Sequence, residues 1–115
     1  MAHLDDHCAH CRQLLGHEWR KVHLWLDKLY EKHGPLHRPY RHHAEGIEVV
    51  RKRWGDEAAW AAKIHIIVDC WGIPTSADYQ SGRVNHLGFG PFANAEEANR
   101  LLGEVIRQRQ LGQRP

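Results

Sequence analysis

The apolar positions of this chain recur with a helical period along most of its length. Leu14, Leu15, Trp19, Val22, Leu26, Leu29 and Tyr30 fall on one broad face when successive residues are turned by about 100°. The pattern predicts one long amphipathic helix over 12–32, ended by Gly34-Pro35. His43, Ile47, Val50 and Trp54 keep a helical spacing and predict a second helix over about 40–54, slightly weakened by Gly46. Gly55 breaks the chain, and Asp56 can cap an alanine-rich helix over 57–70. The stretch 63–69 is β-branched enough to suit a short strand, but the alanines leading into it favour helix. Gly72-Ile73-Pro74 stops that element, and Thr75-Ser76 can cap a short turn carrying Asp78 and Tyr79. Residues 80–93, with Gly82, Gly88, Gly90 and Pro91, read as a loop able to fold over a site. Asn94, with Glu97 in the third helical position, opens a last helix whose inward face is Ala98, Leu101, Leu102, Val105 and Ile106. Residues 1–10 lack periodicity and read as a loose arm; residues 108–115 read as a fraying tail. The expectation is an all-α single domain over 1–115, a small bundle of four to five helices with a glycine-rich loop.

Composition narrows the class. At 115 residues the chain can bury one core, and 26% charged with 42% hydrophobic residues is ordinary for a globular protein. A net charge of +2 argues against nucleic acid as the main partner, and the basic run Arg51-Lys52-Arg53 suits a solvated helix face. No apolar run is long enough for a membrane span, and the first residues lack the pattern of a secretion signal. A cytoplasmic protein is expected. Three cysteines do not suggest a disulfide framework. The outlying number is eleven histidines.

Those histidines are patterned. His23–Asp27 and His65–Asp69 both have the form His-x-x-x-Asp, which on a helix places a nitrogen and a carboxylate one turn apart on the same face. Two such pairs on neighbouring helices offer donors suited to zinc, iron, manganese or nickel. Between them stands His37-Arg38-Pro39-Tyr40-Arg41-His42-His43-Ala44-Glu45-Gly46. His43 shares a face with Ile47 and is the inward candidate. The expected metal ligands are therefore His23, Asp27, His43, His65 and Asp69, with His37 in reserve. His42 is assigned to proton transfer or second-shell support, Glu45 to a general base, and Arg38 and Arg41 to an anion clamp. His7-Cys8-Ala9-His10-Cys11 supplies half of a structural zinc site, with Cys8 and Cys11 as further candidate ligands and histidines able to complete the set.

The motifs His23-Leu-Trp25-Leu-Asp27, His37 through Ile47, His65-Ile-Ile-Val-Asp69, Ile73-Pro74 and Asp78-Tyr79 resemble those of a family of small, functionally uncharacterised proteins of bacteria and their phages. The resemblance covers about residues 23–79 and implies the site without a reaction. The chain is more loosely similar to the HD-type metal-dependent phosphohydrolases, which are helical and use histidines and aspartates, although it lacks their His-Asp dipeptide. The joint expectation is a metal-dependent hydrolase or lyase of a small anionic, phosphate- or carboxylate-bearing substrate. The alternatives are a non-enzymatic, metal-stabilised helical adaptor or phage accessory protein and, less favoured, a nucleic-acid binder. A homo-oligomer is compatible with all three.

Overall fold

The computed structural model describes residues 3–115. Its elements are α1 (Leu4–Leu15), α2 (Arg20–Asp27), α3 (Tyr30–His33), a 3-10 turn (Gly34–His37), α4 (Arg38–Arg41), α5 (Ala44–Trp54), α6 (Asp56–Cys70), α7 (Ser76–Ser81) and α8 (Ala95–Gln110). There is no strand among the described residues, so the all-α expectation holds and 63–69 is helix.

The core is built around α6. Ala58, Ala59, Ala61, Ala62, Ile64, Ile66, Ile67 and Cys70 are all buried, so this helix is covered on every side rather than along one stripe. Its alanines let neighbours come close. α5 lies beside it, connected through Gly55 at φ +97°; α8 packs on another flank, and α1 and α2 on a third. Arg109 near the end of α8 pairs with Glu57 at the start of α6 and fixes how the two run past each other. No helix among the described residues is long and apolar enough to cross a membrane.

Three expectations about boundaries need correcting. The helix expected over 12–32 is two main pieces with a short third. α1 ends at Gly16 in the left-handed conformation, and α2 starts only after Trp19, itself left-handed at φ 53°. The expected loose arm is mostly α1, whose His7, Cys8, Cys11 and Leu15 are buried against α2 and α6. Its inward face was hidden because histidine and cysteine supply half of it. The helix expected over 40–54 is broken at His42 and His43, where the backbone turns out of helix before α5 begins. Gly46 explains how tightly that corner closes. A Cβ there would lie 2.1 Å from the Arg41 carbonyl oxygen, so only glycine lets the end of α4 rest on α5.

The loop over 80–93 is present after α7, and Asn94 caps α8 by accepting from the Glu97 backbone N–H at 2.9 Å. Gly88, at φ +85°, brings this loop so close to Cys70 and Tyr79 that a Cβ would strike both. The expected frayed tail begins late: α8 continues to Gln110, and Lys63 donates to the Pro115 carbonyl at 2.8 Å.

Candidate metal centre

α2 and α6 pack together, and each contributes to one buried polar group. On α6, His65 Nε2 and Asp69 Oδ2 lie 3.2 Å apart, as the one-turn spacing requires. Asp27, the last residue of α2, sets its Oδ1 at 3.2 Å from His65 Nε2. His42 enters from the break between α4 and α5. Its Nε2 is 3.1 Å from Asp69 Oδ2, 3.2 Å from His65 Nε2 and 3.3 Å from Asp27 Oδ1. Five of the six separations among these four atoms thus span only 3.1 to 3.3 Å. The sixth, between the two carboxylates, is within 4.8 Å. A regular tetrahedron with 3.2 Å edges has its centre about 2.0 Å from each corner, the length of a zinc–nitrogen or zinc–oxygen bond, and a sixth edge of 4.8 Å would move that centre to about 2.4 Å. Two imidazole nitrogens and two carboxylate oxygens around that point could hold a metal ion.

Backbone carbonyls set the rings of His23 and His37, and through His23 that of His65, whereas His42 Nδ1 is buried without a hydrogen-bond partner. His23 Nε2–H donates to the Glu18 carbonyl at 2.8 Å, which leaves a lone pair on Nδ1. That lone pair accepts from His65 Nδ1–H, 2.9 Å away. His65 therefore keeps Nε2, with its lone pair, for the four-atom centre. His37 follows the same logic: Nδ1–H donates to the Gly34 carbonyl at 2.8 Å, and Nε2 stands 3.2 Å from Asp27 Oδ1. A ring whose far N–H is anchored on a carbonyl, directly or through another ring, is the usual support behind a metal-bound imidazole.

The electrostatics suit a cation. Burial pushes the Asp27 carboxyl up, but His37, His42 and His65 outweigh it and hold the group far below the ordinary carboxylate range. Asp69 is the same, with burial overcome by His42, His65 and His7. Burial pulls His65 down, yet the two carboxylates overcome it and raise the ring to about 9. A buried carboxylate on Asp69 with a half-buried one on Asp27 close by demands positive charge. A proton on His65 answers part of that demand; a divalent ion answers all four donors at once.

Access is one-sided. The side chains of His42, His65 and Asp69 are sealed from solvent, whereas that of Asp27 is 29% exposed. Asp27 lies on a cleft of about 250 Å³ walled by Leu4, His23, Leu24, Lys28 and Glu31.

Of the residues expected to meet here, Asp27, His65 and Asp69 do. His42 joins them in place of His43, a correction caused by the break in the expected helix. His43 instead caps α5: its Nδ1 accepts from the Gly46 N–H at 2.9 Å and its Nε2–H donates to the Tyr40 carbonyl at 3.0 Å. His23 stands one step back, both nitrogens being occupied. Glu45 is not at the centre; it is exposed and accepts from the Ser76 N–H at 2.8 Å, which seats α7. Arg41 is no clamp at this site, because it donates to the Trp25 carbonyl at 2.7 Å and lies over the Trp25 ring. Arg38 bridges the Asp69 and Leu87 carbonyls at 2.8 and 2.7 Å, tying the glycine-rich loop to the end of α6. Cys8 and Cys11 belong to no metal-capable group among the described residues; burial raises both thiols, Cys11 to about 12, so neither offers a thiolate.

His7, expected only as part of a cysteine-based zinc site, joins this group instead. It lies flat on His65, ring centroids 3.7 Å apart, with Nε2 at 3.4 Å from Asp69 Oδ1. The signal was available: His7, Cys8, Cys11 and Leu15 share one helix face, once histidine and cysteine are counted as inward residues. Comparison of the chain with protein-family models, with curated proteins and with solved structures gave no match, so the centre is read from its own geometry.

Proposed function

We propose that this protein is a metal-dependent hydrolase whose ion activates water against a small anionic substrate, such as a phosphate ester. The observation that carries this reading is the convergence of four donor atoms within 4.8 Å of one another, three of them on buried residues and the fourth, on Asp27, open to a cleft. The ion would be held by Asp27, His42, His65 and Asp69. It supplies Lewis acidity and lowers the pKa of bound water toward neutrality. The chain's own groups do the rest. Asp27 and Asp69 balance the charge of a divalent ion, so the site binds it without net charge in the core. His37, with its Nδ1–H on the Gly34 carbonyl and its Nε2 on Asp27 Oδ1, holds that carboxylate in position. The loose similarity to HD-type phosphohydrolases supports the same chemistry.

A second reading, a metal-stabilised module with no reaction, is favoured by the complete burial of His42 and His65. The two readings differ in whether the ion keeps an exchangeable position. Untagged protein purified without chelators is expected to contain close to stoichiometric transition metal by mass spectrometry. Cobalt-loaded protein is expected to change its visible spectrum when phosphate or azide is added, and to cleave a phosphate-ester panel. A spectrum indifferent to every anion, with no turnover, would select the structural module; a chain with no metal and unaltered stability in chelator would end both.

A further inference from the structure

Asp69 presents its two oxygens to different neighbours. Oδ2 belongs to the four-atom centre, at 3.1 Å from His42 and 3.2 Å from His65. Oδ1 faces His7 Nε2 at 3.4 Å. His7 lies parallel to His65, with an interplanar angle of 13°, so the two stacked rings aim their Nε2 atoms at the two oxygens of one carboxylate. Yet His7 Nε2 and Asp69 Oδ1 are both fully buried and neither makes a hydrogen bond. Two unsatisfied polar atoms facing each other in a core are costly when nothing bridges them. An ion about 2.1 Å from each would see them at about 108°, close to the tetrahedral angle, without any movement of either atom.

We propose that His7 and Asp69 Oδ1 hold a second, more weakly bound divalent cation, so that the Asp69 carboxylate bridges a two-ion centre. The inference rests on the metal centre proposed above and extends it. With only two protein donors, this ion would be held less tightly than the first. A pair of ions across one carboxylate fits a substrate with two adjacent anionic oxygens, which narrows the expected class to phosphate esters. It also gives α1 a function: the helix carries His7 onto the site, while its first residue, Leu4, forms part of the cleft wall.

The test uses the full chain, stripped with chelator and titrated with Mn2+ under equilibrium dialysis and electron paramagnetic resonance. The wild type is expected to take up about two Mn2+ in two steps and to show an exchange-coupled spectrum at saturation. His7→Phe keeps a flat ring on His65 but has no nitrogen; it is expected to take up about one Mn2+ with the uncoupled six-line signal. His42→Ala is expected to lose the tighter step. One uncoupled Mn2+ in both wild type and His7→Phe would overturn the second site and leave the first standing. No uptake by the wild type would overturn both. The wild-type spectrum alone decides the matter if His7→Phe does not fold.

Discussion

The two His-x-x-x-Asp pairs have the same spacing and opposite behaviour. On α6, His65 and Asp69 aim at the same point and sit 3.2 Å apart. On α2, only Asp27 reaches that point, while His23 turns its two nitrogens to the Glu18 carbonyl and to His65. The difference lies in where each pair sits on its helix. His65 lies deep within α6, where its backbone neighbours are already hydrogen-bonded. His23 lies one turn into α2, just past the left-handed Trp19, where the Glu18 carbonyl has no intrahelical partner and captures the ring. Spacing permits a shared ligand point; the backbone at the helix start decides whether the histidine is free to use it. The titration of the two rings separates accordingly, with His65 raised to about 9 and His23 lowered to about 3 by burial and then by the charge of His65.

The sharpest way to break this contrast is His65→Ala. It removes a donor and leaves Asp27 and Asp69 facing each other, so metal content should fall below detection. Stability should drop by roughly 3–5 kcal/mol in chemical denaturation, the usual result of leaving buried charge uncompensated. His23→Phe should be milder, because it removes a support rather than a donor: about a 10–100-fold loss of metal affinity by competition with a chelating dye. Equal losses in the two variants would erase the distinction drawn between the pairs.

A second contrast, between the adjacent His42 and His43, is resolved by the same assay. His42→Ala should lose the tightly bound ion. His43→Ala should keep it and cost about 1 kcal/mol, the value of a helix cap. Glu45→Gln, at the small end, should leave metal content unchanged. If His43→Ala were the variant that lost metal, the break between α4 and α5 would be misplaced.

The pH dependence has a definite sign. In the metal-free protein the raised His65 contributes stability that is fully present below about 6.5 and is lost as the pH rises through about 9. The depressed His23 works the other way: its contribution is present above about 6.5 and is lost as the pH falls through about 3. Metal must displace the His65 proton, so uptake near pH 7 should release about one proton, read as a buffer-dependent enthalpy in calorimetry. Uptake with no proton release would mean that the ion does not use His65 Nε2.

Much of the site was legible in the sequence, and the parts that were not have particular causes. His65, Asp69 and Asp27 follow from helical spacing, because α6 and α2 are regular where those residues stand. His42 and His43 were exchanged because apolar periodicity runs across the corner as though the helix were continuous; Gly46, read as a small weakness, is what lets the corner close. The place of His7 at this centre was hidden because a helix whose inward face is histidine and cysteine carries little apolar signal. The roles given to Arg38, Arg41 and Glu45 fell to backbone carbonyls and N–H groups. Those partners lie at the ends of other elements, and no side-chain pattern reveals them.

The donors of the four-atom centre come from three separate stretches of chain, and only His65 and Asp69 share an element. During synthesis the ribosome must therefore release everything from α2 through α6, and these parts must dock, before an ion has more than two ligands to grip. An ion that binds this centre would therefore add its binding free energy to the docking of these parts. Under the proposed reading, the metal found in purified protein would depend on which ion is available while the parts dock, so the growth medium and the expression host would become part of its biochemistry.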